Sequence, residues 1–204
     1  MESDIKHIAI FASGAGSNAK KIIEHFAGHP AIKVSLVVCN KKEAGVLQHA
    51  SNYQVPILLI NKENFFAGDG YVPHLKDAKI DFIVLAGFLW KIPQALVEAY
   101  PNRIINIHPA LLPNFGGKGM YGSHVHEAVI ISGEVKSGIT IHYVDEKYDN
   151  GDVIFQVYCN INENDNASTL AEKIHLLEHK FFPLVVEKCV MSLGIKLKLS
   201  QDQL

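Results

Sequence analysis

Residues 7–26 read "HIAIFASGAGSNAKKIIEHF". The apolar run His7–Ala12 has the short, Ile-rich character of a buried strand, and Asn18–Phe26 has the amphipathic spacing of a helix. Between them stands Ser13-Gly14-Ala15-Gly16-Ser17. Strand, glycine turn and helix in that order open a parallel α/β unit. The glycines let the backbone turn tightly and approach a ligand, and the free N–H groups at the helix start favour an anion such as a phosphate. Ser17 and Asn18 add a hydroxyl and an amide suited to a phosphate monoester. The run also satisfies the G-x-G-x-x-G/A dinucleotide fingerprint. That fingerprint calls for an acid after the second strand, where "VVCNKKE" places Asn40, Lys41 and Lys42 instead. An NAD site is thereby disfavoured, while a phosphorylated ligand stays open. A helix cap supplied by Ser17 or Asn18 is the purely structural alternative.

The same alternation continues outward. Further strands are predicted near Val34–Cys39, Pro56–Ile60, Phe82–Ala86 and Ile104–Ile107, with helices near Ala44–Tyr53, Tyr71–Ala78, Pro93–Tyr100 and His124–Ser132. Apolar strands separated by amphipathic helices imply a Rossmann-like α/β fold, a mostly parallel sheet with helices on both faces. The second half changes character. "SGITIHYV" and "GDVIFQVYC" are joined by "DEKYDN", too short for a helical crossover, so they are expected as an antiparallel C-terminal addition. A last helix near Ser168–Leu193 is predicted to start with Ser168 as N-cap and to kink or break at Pro183.

Composition narrows the function. A chain of 204 residues without a low-complexity linker is expected to form one domain, residues 1–204. A net charge of −2 and no long Lys/Arg run lack the footprint of a nucleic-acid binder, which leaves a small molecule or a protein as partner. No apolar run approaches the roughly 18 residues of a membrane span, and "MESDIKH" is too charged for a signal peptide. A soluble cytoplasmic protein is expected. Cys39, Cys159 and Cys189 make no C-x-x-C pair and suit buried reduced thiols. His124 and His126, two apart on a helix, do not share a face, and no metal is expected.

The chemistry concentrates in residues 104–122, "IINIHPALLPNFGGKGMYG". Asn106 and His108 are two apart, so on an extended strand both side chains lie on one face and Ile107 on the other. Ligands of open α/β sheets bind beyond the carboxyl ends of strands, which is where this pair stands. Pro109 ends the ladder and restricts His108 to extended geometry. An imidazole that exchanges a proton near neutrality and an amide that donates to an oxyanion suit addition to a carbonyl. A carboxylate is then needed to orient the ring, and Asp145, Glu146, Asp149 and Asp152 are the candidates. His142 is expected to be packed or locally bonded.

Taken together, "FASGAGSN", "DFIVLAGFLWKIP", "IINIHPALLPNF", "GITIHYVDEKYDNGDVIFQ" and "LLEHKFFPLVV" resemble the phosphoribosylglycinamide formyltransferase family, within the wider group of 10-formyltetrahydrofolate-using formyltransferases. The resemblance runs from the first strand to the last helix. It implies the formyltransferase fold and transfer of a formyl group from 10-formyltetrahydrofolate to the amine of 5-phosphoribosylglycinamide in purine biosynthesis. It further implies no metal and a monomer or homodimer. Carried over by motif, the catalytic residues resemble Asn106, His108 and Asp149, the last because Asp149-Asn150-Gly151 stands at the family's Asp-x-Gly. The phosphate loop resembles Gly16, Ser17 and Asn18, and the substrate-gripping glutamate resembles Glu178. Folate contacts, mostly through backbone, would fall on Leu89, Trp90, Lys91 and Ile92, on Asp145, Glu146, Lys147, Tyr148 and Asp149, and on Asn106.

The chain departs from the family at three places. Trp90 followed by Lys91 stands where a basic residue often follows "AGFM"; "NKENFFAGDGYVPHL" lacks an arginine that many relatives have near the folate; and "GGKGMYG" is longer than the usual "YPG" loop. Gly116–Gly122 is therefore read as an insertion beside the substrate, with Lys118 either reaching an anion or solvated. The rivals are a formyltetrahydrofolate hydrolase, whose usual N-terminal regulatory domain is not expected in a chain that enters its first strand by about His7, and a non-catalytic nucleotide-binding domain. Transfer to methionyl-tRNA would bring an added C-terminal domain and a basic surface. A binding domain explains the glycine turn and gives Asn106 and His108 no reason to converge.

Overall fold

The computed structural model describes residues 5–67, 69, 71–193 and 195–204. Residues 1–4 of the charged start, Gly68 and Gly70 of "NKENFFAGDGYVPHL", and Gly194 lie outside the described residues. The strands are β1 (Lys6–Ala12), β2 (Ile32–Cys39), β3 (Ile57–Leu59), β4 (Phe82–Leu85), β5 (Ile104–His108), β6 (Lys136–Tyr143) and β7 (Val153–Asn160). Among the described residues they form one seven-stranded sheet in the order β3-β2-β1-β4-β5-β6-β7. The first five strands run parallel, β6 adds antiparallel to β5, and β7 pairs antiparallel to β6, as the short "DEKYDN" connection requires. The Rossmann-like α/β expectation holds, antiparallel addition included.

The helices are α1 (Ser17–His25), α2 (Gly45–Asn52), α3 (Lys62–Phe66), α4 (Val72–Asp77), α5 (Gln94–Ala99), α6 (Ser123–Ile131) and α7 (Ala167–Met191). The side chains of β1 show why they cover both faces. Ile8, Ile10 and Ala12 pack with Ile22 of α1, Val129 of α6 and Phe182 of α7, while Ala9 and Phe11 pack with Phe65 of α3, Leu75 of α4 and Leu96 of α5. Each such large apolar side chain contributes about 1.5–3 kcal/mol when fully buried, so neither helical layer is dispensable.

Two expectations about local structure are corrected. α7 begins one residue before Ser168, because Asn166 is the N-cap: its side chain accepts the N–H groups of Ser168 and Thr169, and Thr169 accepts the Asn166 N–H in return. This reciprocal box satisfies more backbone donors than Ser168 alone. α7 also continues through Pro183 to Met191 without a break. The proline removes one rung, but Phe182, Val185 and Val186 are fully buried around it and hold both halves in register. The one-turn α3 was not expected; it is nucleated by Asn61, which accepts the Asn64 N–H, and is too short to show periodicity. No helix among the described residues is long and apolar enough to cross a membrane.

Candidate active site

A cleft of about 710 Å³ opens at the carboxyl ends of β1, β4 and β5, the position that the switch-point rule assigns to ligands in such sheets. Its walls are the glycine turn after β1, the loop after β4, the end of β5, the Gly117–Gly122 stretch, the turn between β6 and β7, and α7. Every site residue anticipated from the sequence lines it except Glu146 and the candidate acid Asp152, both exposed. Trp90 stands in an aromatic wall, with Phe65 at 5.6 Å and Phe66 at 5.8 Å between ring centroids. Lys118 lines the cleft as an exposed side chain.

At one end lies the glycine turn. Gly16 is the N-cap of α1, with φ of 80° and no side-chain cap, and a Cβ there would stand 2.6 Å from the Val46 Cβ. Only glycine fits such a position without displacing α2. Ser17 and Asn18 therefore do not serve as caps, and the helix start is left without a side-chain acceptor. Asn18 instead sends Nδ2 to Glu178 Oε2 at 2.9 Å, and its Oδ1 is buried without a partner. Glu178 is 5% exposed; burial drives its pKa up, opposed by the Asn18 hydrogen bond and by His175. Ser13 ties this turn to the loop after β4: its N–H donates to the Gly87 carbonyl and its Oγ accepts the Leu89 N–H, both at 3.0 Å.

At the other end, strand register assembles the polar groups. β5 and β6 pair so that Asn106 faces His142 and His108 faces Thr140. Asn106 and His108 share a face as alternation requires, and His142 joins them from the neighbouring strand. The carboxylate is Asp149, held in the left-handed region at φ of 49°, which Asp tolerates. Its Oδ2 is 3.6 Å from His108 Nδ1 and accepts the Gly117 N–H at 2.9 Å, while its Oδ1 is 3.6 Å from His142 Nε2. Two of the three rival acids are engaged elsewhere, and Glu146 lies outside the cleft lining. Asp145 accepts the Lys147 N–H and Asn150 Nδ2, and Asp152 pairs with Lys196.

The hydrogen bonds fix the tautomers. His142 Nδ1 donates to the Tyr143 carbonyl at 2.8 Å, so in the neutral ring Nε2 is an acceptor for Asn106 Nδ2, 3.1 Å away. His142 is locally bonded, as expected, and is also part of the site. The expectation stopped short because antiparallel register is not legible in "SGITIHYV". His108 Nε2 donates to the Phe115 carbonyl at 2.8 Å. Burial lowers the His108 pKa, against the pull of Asp149 and the Phe115 carbonyl. Burial pushes Asp149 up, but the neighbouring His142 and His108 rings and the Gly117 amide outweigh it and leave the carboxyl below its ordinary value.

His124 and His126 diverge as their spacing predicts: His124 is solvent-facing, 3.8 Å from Glu127, and His126 is buried. Among the described residues no group of three or more His, Cys, Asp or Glu side chains is arranged to hold a metal ion. Cys39 and Cys189 are buried free thiols, and Cys159 is half-buried.

A family model described as formyl transferase matches residues 6–186. Phosphoribosylglycinamide formyltransferase of Bacillus subtilis is 34% identical over 189 residues, covering 90% of this chain and 94% of that protein. The chloroplastic phosphoribosylglycinamide formyltransferase of Arabidopsis thaliana is 44% identical over 187 residues, 89% of this chain. The chain spans 64% of that plant relative's length and 60% of one from Vigna unguiculata. The crystal structure of phosphoribosylglycinamide formyltransferase from Bacillus halodurans has a TM-score of 0.82 and 36% identity, covering 96% of this chain and 100% of that one. With a match that runs from β1 into α7 and an architecture shared over nearly the whole of both chains, the protein belongs to the formyl transferase family.

Proposed function

We propose that the chain transfers the formyl group of 10-formyltetrahydrofolate to the amine of 5-phosphoribosylglycinamide, as one domain over residues 1–204 in a cytoplasmic setting. The observation that carries this is the convergence of Asn106, His108 and Asp149 at the end of β5, in the same cleft as the uncapped Gly16–Asn18 turn. The names of its relatives support formyl transfer to phosphoribosylglycinamide.

Each wall then has a task. Gly16, Ser17 and Asn18 would take the substrate phosphate on backbone N–H groups, with Glu178 gripping the substrate beside them. Leu89–Ile92 and the turn Asp145, Lys147, Tyr148 and Asp149 would hold the folate, with Glu146 outside the contact. The volume of about 710 Å³ falls within the range for small-molecule clefts, roughly 300–1,000 Å³.

As the amine attacks the formyl carbon, negative charge grows on the formyl oxygen. Asn106 would donate from Nδ2, and His108 would exchange the Phe115 carbonyl for that oxygen. A ring kept neutral by burial gains a reason to be protonated only as the oxyanion forms, and Asp149 stabilises the imidazolium then. When the tetrahedral intermediate collapses, the bond to the folate nitrogen breaks, that nitrogen gains a proton and the amine loses one. Asp149 would relay this proton through a water.

The test is formyl-folate turnover with and without phosphoribosylglycinamide. Turnover that requires the amine is expected. Equal turnover without it would make the protein a hydrolase, and none in either case would make it a binding domain.

A further inference from the structure

Helix α6 contributes one side chain to the cleft, that of His126. Its flanking partners on the helix, Val125 and Val129, belong to the apolar core, yet His126 is itself only 4% exposed and its Nδ1 is sealed without a hydrogen-bond partner. A buried polar atom left unpaired in a native interior calls for an explanation. Because the ring lines the cleft while Nδ1 is sealed, Nε2 is the nitrogen a ligand can reach. The neutral tautomer that leaves a lone pair at the orphaned Nδ1 puts the proton on Nε2 and aims a donor into the cleft.

The surroundings indicate which part of a ligand would meet it. His175, also lining the cleft, stands one turn before Glu178 on α7 and stacks on His179 with ring centroids 6.1 Å apart. Glu178 in turn holds Asn18 of the glycine turn, another residue that lines the cleft. An Nε2–H donor beside the residues that border the uncapped glycine turn suits a ligand group rich in acceptor oxygens. The groups acting on the His126 ring are His175 and His108; none belongs to the Leu89–Ile92 loop or to the turn between β6 and β7. Burial, with those two imidazoles, brings His126 down to about 4, so it meets a ligand as a neutral donor.

We propose that His126 is a specificity-determining residue that donates a hydrogen bond to the phosphoribosyl portion of the amine substrate and favours the phosphorylated ligand over its unphosphorylated counterpart. This role rests on the function proposed above. His124, on the opposite side of α6 and paired with Glu127, takes no part in it.

The test compares wild type, His126→Leu and His126→Gln with phosphoribosylglycinamide and with unphosphorylated ribosylglycinamide, alongside melting curves. His126→Leu is expected to raise KM for the phosphorylated amine about tenfold or more, the effect of losing a hydrogen bond to a charged group. It should leave kcat and the KM for formyl-folate within about twofold and change the unphosphorylated reaction little. His126→Gln, whose amide nitrogen approximates ring Nε2, should recover most of the loss. An unchanged KM in His126→Leu, an equal loss for both amines, or a glutamine variant no better than leucine would overturn the assignment. So would parallel falls in kcat, folate affinity and Tm, which would mark His126 as core packing only. If wild type makes no formylated product, the proposed function fails. Titration with ribose 5-phosphate then still decides the role of His126: about tenfold weaker binding by His126→Leu supports it, and equal binding sinks it.

Discussion

Asn106, His108, His142 and Asp149 hold one another at the β5 end of the cleft, through contacts of 3.1–3.6 Å and through further bonds to Phe115, Gly117 and Tyr143. On the α7 side, the start of α1 has no side-chain cap, and His126 lines the cleft with no hydrogen-bond partner for its ring. One region is finished before a ligand arrives, and the other has bonding capacity that the protein alone does not fill. Groups already oriented cost little reorganisation in the transition state beyond the Phe115 bond that His108 exchanges, whereas unfilled groups gain when a ligand pairs them. Changes at the β5 end should therefore appear in kcat, and changes on the α7 side in KM for the amine.

The sharpest way to break that contrast is His108→Ala, expected to lower kcat about 10²–10³-fold while both KM values stay within a few-fold. Near-normal turnover in steady-state assays would refute it. Asp149→Asn should follow with a loss of about 10²-fold, since the amide keeps the shape but neither stabilises an imidazolium nor relays a proton. Asn18→Ala should raise KM for the amine about tenfold, because it removes a hydrogen bond to the Glu178 carboxylate beside the substrate, with kcat nearly retained. A fall in kcat as large as that of Asp149→Asn would erase the distinction between the two regions.

The smallest effect concerns acid. His126 titrates near 4 in the folded chain against 6.5 for the free ring. Below pH 6.5 the unfolded chain binds a proton there that the folded chain refuses until about pH 4, so stability present above pH 6.5 is lost across that window. His108, lowered in the same direction, adds to the loss. Asp149, lowered from 3.8, contributes stability that is present above that value and lost only as pH falls through its folded value. Urea midpoints followed from pH 7 to 4 should decline less steeply in His126→Gln than in wild type.

Local physics made much of this legible in the sequence. The Asn106 and His108 alignment needs only the two-residue repeat of a strand, and the glycine turn needs only its neighbours. His142 enters through the register of β5 against β6, a long-range choice that no short window encodes. Asp149 was one of four acids in a turn, and what separates it is a backbone angle together with the engagement of Asp145 and Asp152 elsewhere. Ser168 lost the cap of α7 to Asn166 because Thr169 completes a reciprocal pair with the asparagine, a cue that lies three residues away. The helix does not break at Pro183, because it is held by the tertiary packing around it, which local propensity does not record. His126 and His124 were separated correctly by helical geometry, but which of them faced inward depended on how α6 docks.

Gly151, at the base of the turn that carries Asp149, leaves no room for a side chain, since a Cβ there would fall 1.9 Å from the Tyr143 carbonyl oxygen. Lys147 and Tyr148, at the head of the same turn, line the mouth of the cleft and are exposed. The turn thus has an anchor closed to substitution and a rim open to it. Sequence drift can reshape what the cleft admits while the carboxylate keeps its place, so selectivity and chemistry can evolve separately within a few residues of one another.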